Sequence, residues 1–188
     1  MAIVAGAMIV SCNGHDYVDL GLPSGLKWAT CNVGASSPED YGDYFAWGET
    51  SPKEEYTSEN SVTFGEDIGD DISGKVRYDA ATVNWGRNWR MPTKEQMHEL
   101  LEHCEWDLTQ LNGVNGAKLI GPNGNSIFLP AACYRIGSSL IGYGLGNYWS
   151  STPYFYSAYA LIFNDGCYES LYSNNGRSWG LPVRPITE

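Results

Sequence analysis

Glycine, proline and asparagine interrupt nearly every apolar run in this chain, and no apolar run is long enough to build a bundle helix. With 22 Gly and nine Pro in 188 residues, the backbone is confined to short strands and long loops with an occasional helix. The chain is 43% hydrophobic and 13% aromatic, so it has the material for one domain with a real core and is not disordered.

Local patterns sort that domain into elements. Tyr17–Leu22 alternates, breaks at Pro23-Ser24-Gly25 and resumes at Leu26–Thr30, which predicts a hairpin-like pair. Residues 34–75 carry 11 carboxylates against Lys53 and Lys75. They are expected to form a long surface loop region holding a short strand at Tyr44–Trp47. Asp79 before Ala80 and Gly86 after Trp85 frame a short helix. A second helix is expected over about 93–106, because Thr93 and Gln96 form a capping-box pair and Met97, Leu100, Leu101 and Cys104 recur at helical spacing. Beyond Asn112, strands are expected at Ala117–Ile120, Ser126–Leu129, Tyr148–Ser151, Tyr159–Phe163 and Leu181–Pro185. The class is α+β: a single domain with two helices, short antiparallel strands and long loops.

Charge and chemistry narrow the functions. The net charge of −11 arises entirely from residues 1–132. With a pI near 4.6 and no basic stripe, the chain repels phosphates, and nucleic acid is not an expected partner. No run is long enough to span a bilayer. Residues 1–14 read either as a first strand or as a residual signal segment. In the second case Ile9-Val10-Ser11-Cys12 is a lipoprotein-type box with Cys12 as the lipidated residue, although no Lys or Arg precedes the apolar run. The domain proper is then 15–188, on a cell surface, secreted or carried by a virion. Cys12, Cys31, Cys104, Cys133 and Cys167 have no zinc-type spacing, and their odd number leaves at least one thiol free of internal pairing. His98 and His103 are about 140° apart around a helix, which does not suit a shared metal. The acidic run Glu66–Asp71 could hold calcium but lacks an EF-hand alternation, so a solvated loop is expected. No cofactor is expected, and neither Ser150-Ser151 nor Gly142–Gly146 has the context of a nucleophile or a phosphate loop.

One segment is unusual. Residues 133–181 hold eight of the 13 tyrosines, interleaved with Ser, Asn and Gly, the mixture used in antibody binding loops. Tyr148 and Tyr159 are expected in the core. Tyr154, Tyr156, Tyr168 and Tyr172 lie in polar, turn-rich sequence and are expected to be exposed.

The stretches Tyr17–Asn32, Tyr44–Glu49, Trp89–Thr93, Tyr148–Thr152 and Val183–Pro185 resemble the "major paralogous domain" family of gut bacteria over nearly the whole chain from His15. That family is similar to the C-type-lectin-like fold of formylglycine-generating enzymes and of the variable proteins of diversity-generating retroelements. The resemblance implies a C-type-lectin-like domain with a variable segment at about 133–184. Its function would be receptor binding or adhesion toward a protein or glycan on another surface, without catalysis. It further implies a framework of Tyr148–Thr152, Tyr159, Leu161, Phe163, Arg177, Gly180, Val183 and Arg184. The variable, ligand-binding positions would be Ile136, Ile141, Tyr143, Asn147, Tyr154, Tyr156, Ala160, Ile162, Asn164, Tyr168, Tyr172, Ser173, Ser178, Trp179 and Leu181. Formylglycine-generating relatives need a cysteine pair, for which Cys133 and Cys167 are the candidates. A cysteine oxidase is therefore an alternative, and a structural surface protein without a specific ligand is another. Four framework tryptophans, Trp28, Trp47, Trp89 and Trp149, are expected to be buried with paired indole N–H groups.

Overall fold

The computed structural model describes residues 10–164 and 167–188, with the backbone alone for 167–170 and 172–174. In chain order the elements are β1 (Val10–Cys12), β2 (His15–Asp19), β3 (Lys27–Ala29), α1 (Ala80–Trp85), α2 (Lys94–His103), β4 (Glu105–Leu111), β5 (Val114–Ile120) and β6 (Ser126–Pro130). They continue with β7 (Tyr134–Ile136), β8 (Ser139–Ile141), β9 (Leu145–Tyr154), β10 (Ser157–Asn164), β11 (Cys167–Gly176) and β12 (Ile186–Thr187). The described strands form antiparallel sheets in the orders β1-β2-β3-β12, β4-β5-β6, β7-β8 and β11-β10-β9. The early strands and the last one thus share a sheet.

Both expected helices form, for the local reasons their ends suggest. Asp79 caps α1, and its carboxylate accepts N–H groups from Thr82, Gly74 and Met91 at 2.9, 2.7 and 2.9 Å. Burial pushes this carboxyl up, while the same N–H donors pull against that shift. Thr93 and Gln96 make the full capping box of α2. That helix ends at His103, three residues short of the expectation. Cys104 is extended, and the Trp106 indole N–H donates to the Leu100 carbonyl at 3.2 Å, which satisfies an end carbonyl and turns the chain into β4.

Two expected strands shrink. Tyr44–Trp47 and Leu181–Pro185 meet only through a single bridge between Phe45 and Leu181. The segment Pro182-Val183-Arg184-Pro185 makes no strand ladder, because two prolines in four residues remove the donors that a ladder needs.

Two apolar clusters flank the β9–β10–β11 sheet. One gathers Trp28, Leu100, Leu119, Leu129, Tyr148, Leu161 and Phe163; the other gathers Phe45, Trp47, Trp89, Trp149, Ala160, Leu181 and Val183. Period-2 alternation along β9 and β10 sends successive residues to opposite clusters. All four framework tryptophans are buried. The indoles of Trp47, Trp89 and Trp149 donate to the carbonyls of Ser150, Cys12 and Phe45 at 3.0, 3.1 and 2.8 Å. The Trp28 indole N–H has no partner among the described residues, which departs from the expectation.

Two fully buried arginines lock the loops onto this core. Arg184 donates to Asn32 Oδ1 and to the carbonyls of Ala29, Thr30 and Phe128 at 2.8–3.0 Å. Arg177 lies 4.4 Å over the Trp47 ring and donates to the carbonyls of Ser157, Glu66, Ile68 and Phe155. A guanidinium with five donors can satisfy several loop carbonyls that no strand reaches.

Candidate ligand-binding face

The candidate positions divide between the two ends of the β9–β10 hairpin. At its open end, Asn164 pairs with Leu145 and Ile162 with Asn147. Tyr134, on β7, pairs with Ile141 and stacks on Trp179 at 5.2 Å. Trp179 lies over Gly176, at the end of β11, and Tyr134 approaches Gly142. These contacts link Ile141 and Leu145 through Tyr134 to Trp179, while the Gly176 under Trp179 pairs with Ser157 toward the turn end of the hairpin. Tyr143 is 89% exposed, Ile136 41% and Ile141 38%, whereas Ile162, Asn164 and Trp179 are half-buried. Gly146 allows this end to close: a Cβ there would stand 2.1 Å from the Phe163 ring.

Four candidates belong to the interior instead. Ala160 and Leu181 are 0% exposed, Asn147 1% and Ser178 7%. Ala160 faces the cluster around Trp149, and Leu181 is bridged to Phe45 inside it. Asn147 donates to Asn175 Oδ1 at 3.1 Å, and its own Oδ1 has no partner among the described residues. The expectation that these four contact a ligand directly is corrected by segments distant in sequence that lie over them. The side chains of Tyr168, Tyr172 and Ser173 lie outside those described.

Tyr154 and Tyr156 occupy the other end. Tyr154 closes β9, where it pairs with Ser157, and Tyr156 stands with Phe155 in the two-residue turn that leads to β10. Nine residue steps along β9 separate Tyr154 from Leu145, roughly 30 Å at strand spacing. The single face expected from the sequence therefore does not bring Tyr143 together with Tyr154 and Tyr156, while the side chains of Tyr168 and Tyr172 lie outside those described. Phe155, which is not among the candidates, is 80% exposed and Tyr156 68%. Arg177 holds the Phe155 carbonyl at 2.7 Å, so this aromatic turn is tied to the acidic loop through Glu66 and Ile68. The loop carboxylates disperse: Asp71 accepts from Thr152 Oγ1 at 2.6 Å, and Asp70 faces Lys75 at 3.7 Å.

The cysteine pair fares poorly as a reactive site. Cys133 is buried with φ +61°, and burial pushes its thiol up, against the thiolate that copper or disulfide chemistry uses. Its N–H bonds the Leu145 carbonyl, Leu145 pairs with Asn164, and Asn164 pairs with Cys167. The Cys167 side chain lies outside those described.

Comparison with protein-family models, with curated proteins and with solved structures finds no match in any of the three.

Proposed function

We propose that this chain is a ligand-binding module of C-type-lectin-like architecture that serves receptor binding or adhesion. Its ligand, a protein or glycan on another surface, meets the open end of the β9–β10 hairpin. The single observation that carries this reading is the full or partial exposure of Ile141, Tyr143, Ile162 and Asn164 at the open end, with Trp179 joined to them through its stack on Tyr134. Rigid rings above a packed layer bind with little ordering entropy. The meeting of early and late strands in one sheet supports the architecture. These five surface residues are also variable positions implied by the resemblance to retroelement-diversified proteins, so rewriting them would alter specificity and spare the fold.

The test is a screen of the whole chain on glycan and surface-protein arrays, repeated with Ile141→Ser/Tyr143→Ser and with Tyr154→Ser/Tyr156→Ser. Loss of hits in the first variant and retention in the second is expected. The opposite pattern would move the site to the aromatic turn and refute the proposed face. Flanking DNA that carries a reverse transcriptase and an adenine-rich near-copy of codons 133–184 would establish the diversification.

A further inference from the structure

The β4–β5–β6 sheet has a free edge. β4 runs for seven residues, pairs with β5 alone among the described residues, and exposes Glu105, Asp107, Leu108, Thr109 and Gln110. Its register closes on the two-residue turn Asn112-Gly113, with φ of +50° and +84°. In such a hairpin the flanking pair Leu111 and Val114 is hydrogen-bonded, so the alternate residues Trp106, Leu108 and Gln110 turn their backbone N–H and C=O groups outward. None of those groups has a partner among the described residues. Exposed edges are usually blunted by charged side chains, proline or a bulge; β4 has neither proline nor bulge, and its only charges are the acidic Glu105 and Asp107.

Cavities border this edge on both faces of the sheet. A cavity of about 190 Å³ is lined by Leu108, Gly116, Ala131, Phe163 and Asn164 among others, and one of about 450 Å³ by Asp107, Leu111, Lys118 and Phe128 with Thr30 and Pro38. A strand laid beside β4 would send alternate side chains toward one cavity and the other. Backbone bonding along an edge with pockets for alternate side chains is the chemistry of strand addition.

We infer that β4 receives an extended polypeptide segment of another protein as an added strand. Its residues level with Leu108 would be apolar, and those level with Asp107 neutral or basic. Charge favours such a partner over a second copy: each chain carries −11, and β4 itself has Glu105 and Asp107 without a basic residue. The smaller cavity adjoins Asn164, so the added strand would extend the proposed face, yet it stands on the edge of β4 and can fail independently of that face.

The probe is a synthetic heptapeptide alternating valine and lysine, titrated onto the full chain by calorimetry, beside an analogue N-methylated at every amide, so that neither edge of the peptide can donate. Methylation keeps side chains and charge but removes the edge bonds. Binding of the plain peptide, at least tenfold weaker for the analogue and for Leu108→Pro, is expected, with slowed amide exchange at Leu108 and Gln110. Leu108→Lys serves if the proline variant loses its circular dichroism spectrum, since it keeps the strand and blocks the apolar row. Equal binding of both peptides would reduce the effect to charge, and no binding at millimolar peptide would remove the site. A concentration-dependent dimer abolished by Leu108→Lys would assign the edge to a second copy; each of these three results overturns the inference. The variant Ile141→Ser/Tyr143→Ser should bind the peptide normally, which separates this result from the proposed face.

Discussion

The two ends of the β9–β10 hairpin show opposite ways to hold exposed aromatic residues. At the open end, Tyr134 pairs with Ile141 and is supported by its stack on Trp179. The surface there is supported by packing. At the turn, Tyr154 packs edge-on against Phe155 and Tyr159, at 5.0 and 5.2 Å, and one guanidinium grips carbonyls on either side of the turn. Packing lets side chains change while the support stays in place. A backbone clamp fixes the turn through its carbonyls and leaves Phe155 and Tyr156 exposed.

The largest effect should come from the clamp. Arg177→Met leaves the carbonyls of Ser157, Glu66, Ile68 and Phe155 without donors in a buried site, and a loss of about 3 kcal/mol in unfolding free energy is expected. Urea denaturation measures it. A change under about 1 kcal/mol would mean that the turn needs no clamp. Next, Asn147→Ala at the open end removes the bond to Asn175 and should cost about 1 kcal/mol, less than the usual buried amide because Asn147 Oδ1 has no partner among the described residues. A larger loss would show that the open end also depends on polar bonds.

Tyr148 sharpens the contrast between the core side and the exposed side of the same strand. Its hydroxyl donates to the Pro130 carbonyl at 2.6 Å, and burial pushes its pKa up to about 12. The folded value exceeds the ordinary 10, so folding favours the protonated phenol. That stabilisation is complete below pH 10 and is lost as pH rises toward 12. Denaturation midpoints followed from about pH 9 to about pH 11.5 should fall, and Tyr148→Phe should flatten the decline. The smallest effect is expected at the surface itself: Tyr143→Ser and Tyr156→Ser should each shift stability by no more than about 0.5 kcal/mol.

The sequence by itself determined the features whose causes are local. Asp79, Thr93 and Gln96 place two helix starts because a cap acts within three residues. Trp28 and Trp149 are buried because alternation in β3 and β9 assigns them to an inner face, whereas Trp47 and Trp89 lie outside the named strands and are buried by packing in the second cluster. β4 is not legible in the sequence, because Glu105-Trp106-Asp107-Leu108-Thr109-Gln110-Leu111 alternates without a fully buried side and follows a helix without a break. The division of Tyr143 from Tyr154 and Tyr156 is equally invisible there, since it depends on the length of β9 and not on residue type. Only the tertiary structure decided which alternating residues reach solvent: Asn147 and Ala160 carry the same strand pattern as Ile162 and Asn164, but the first two are buried and the last two half-exposed. Alternation selects a side of the sheet, whereas exposure depends on what the rest of the chain lays over that side.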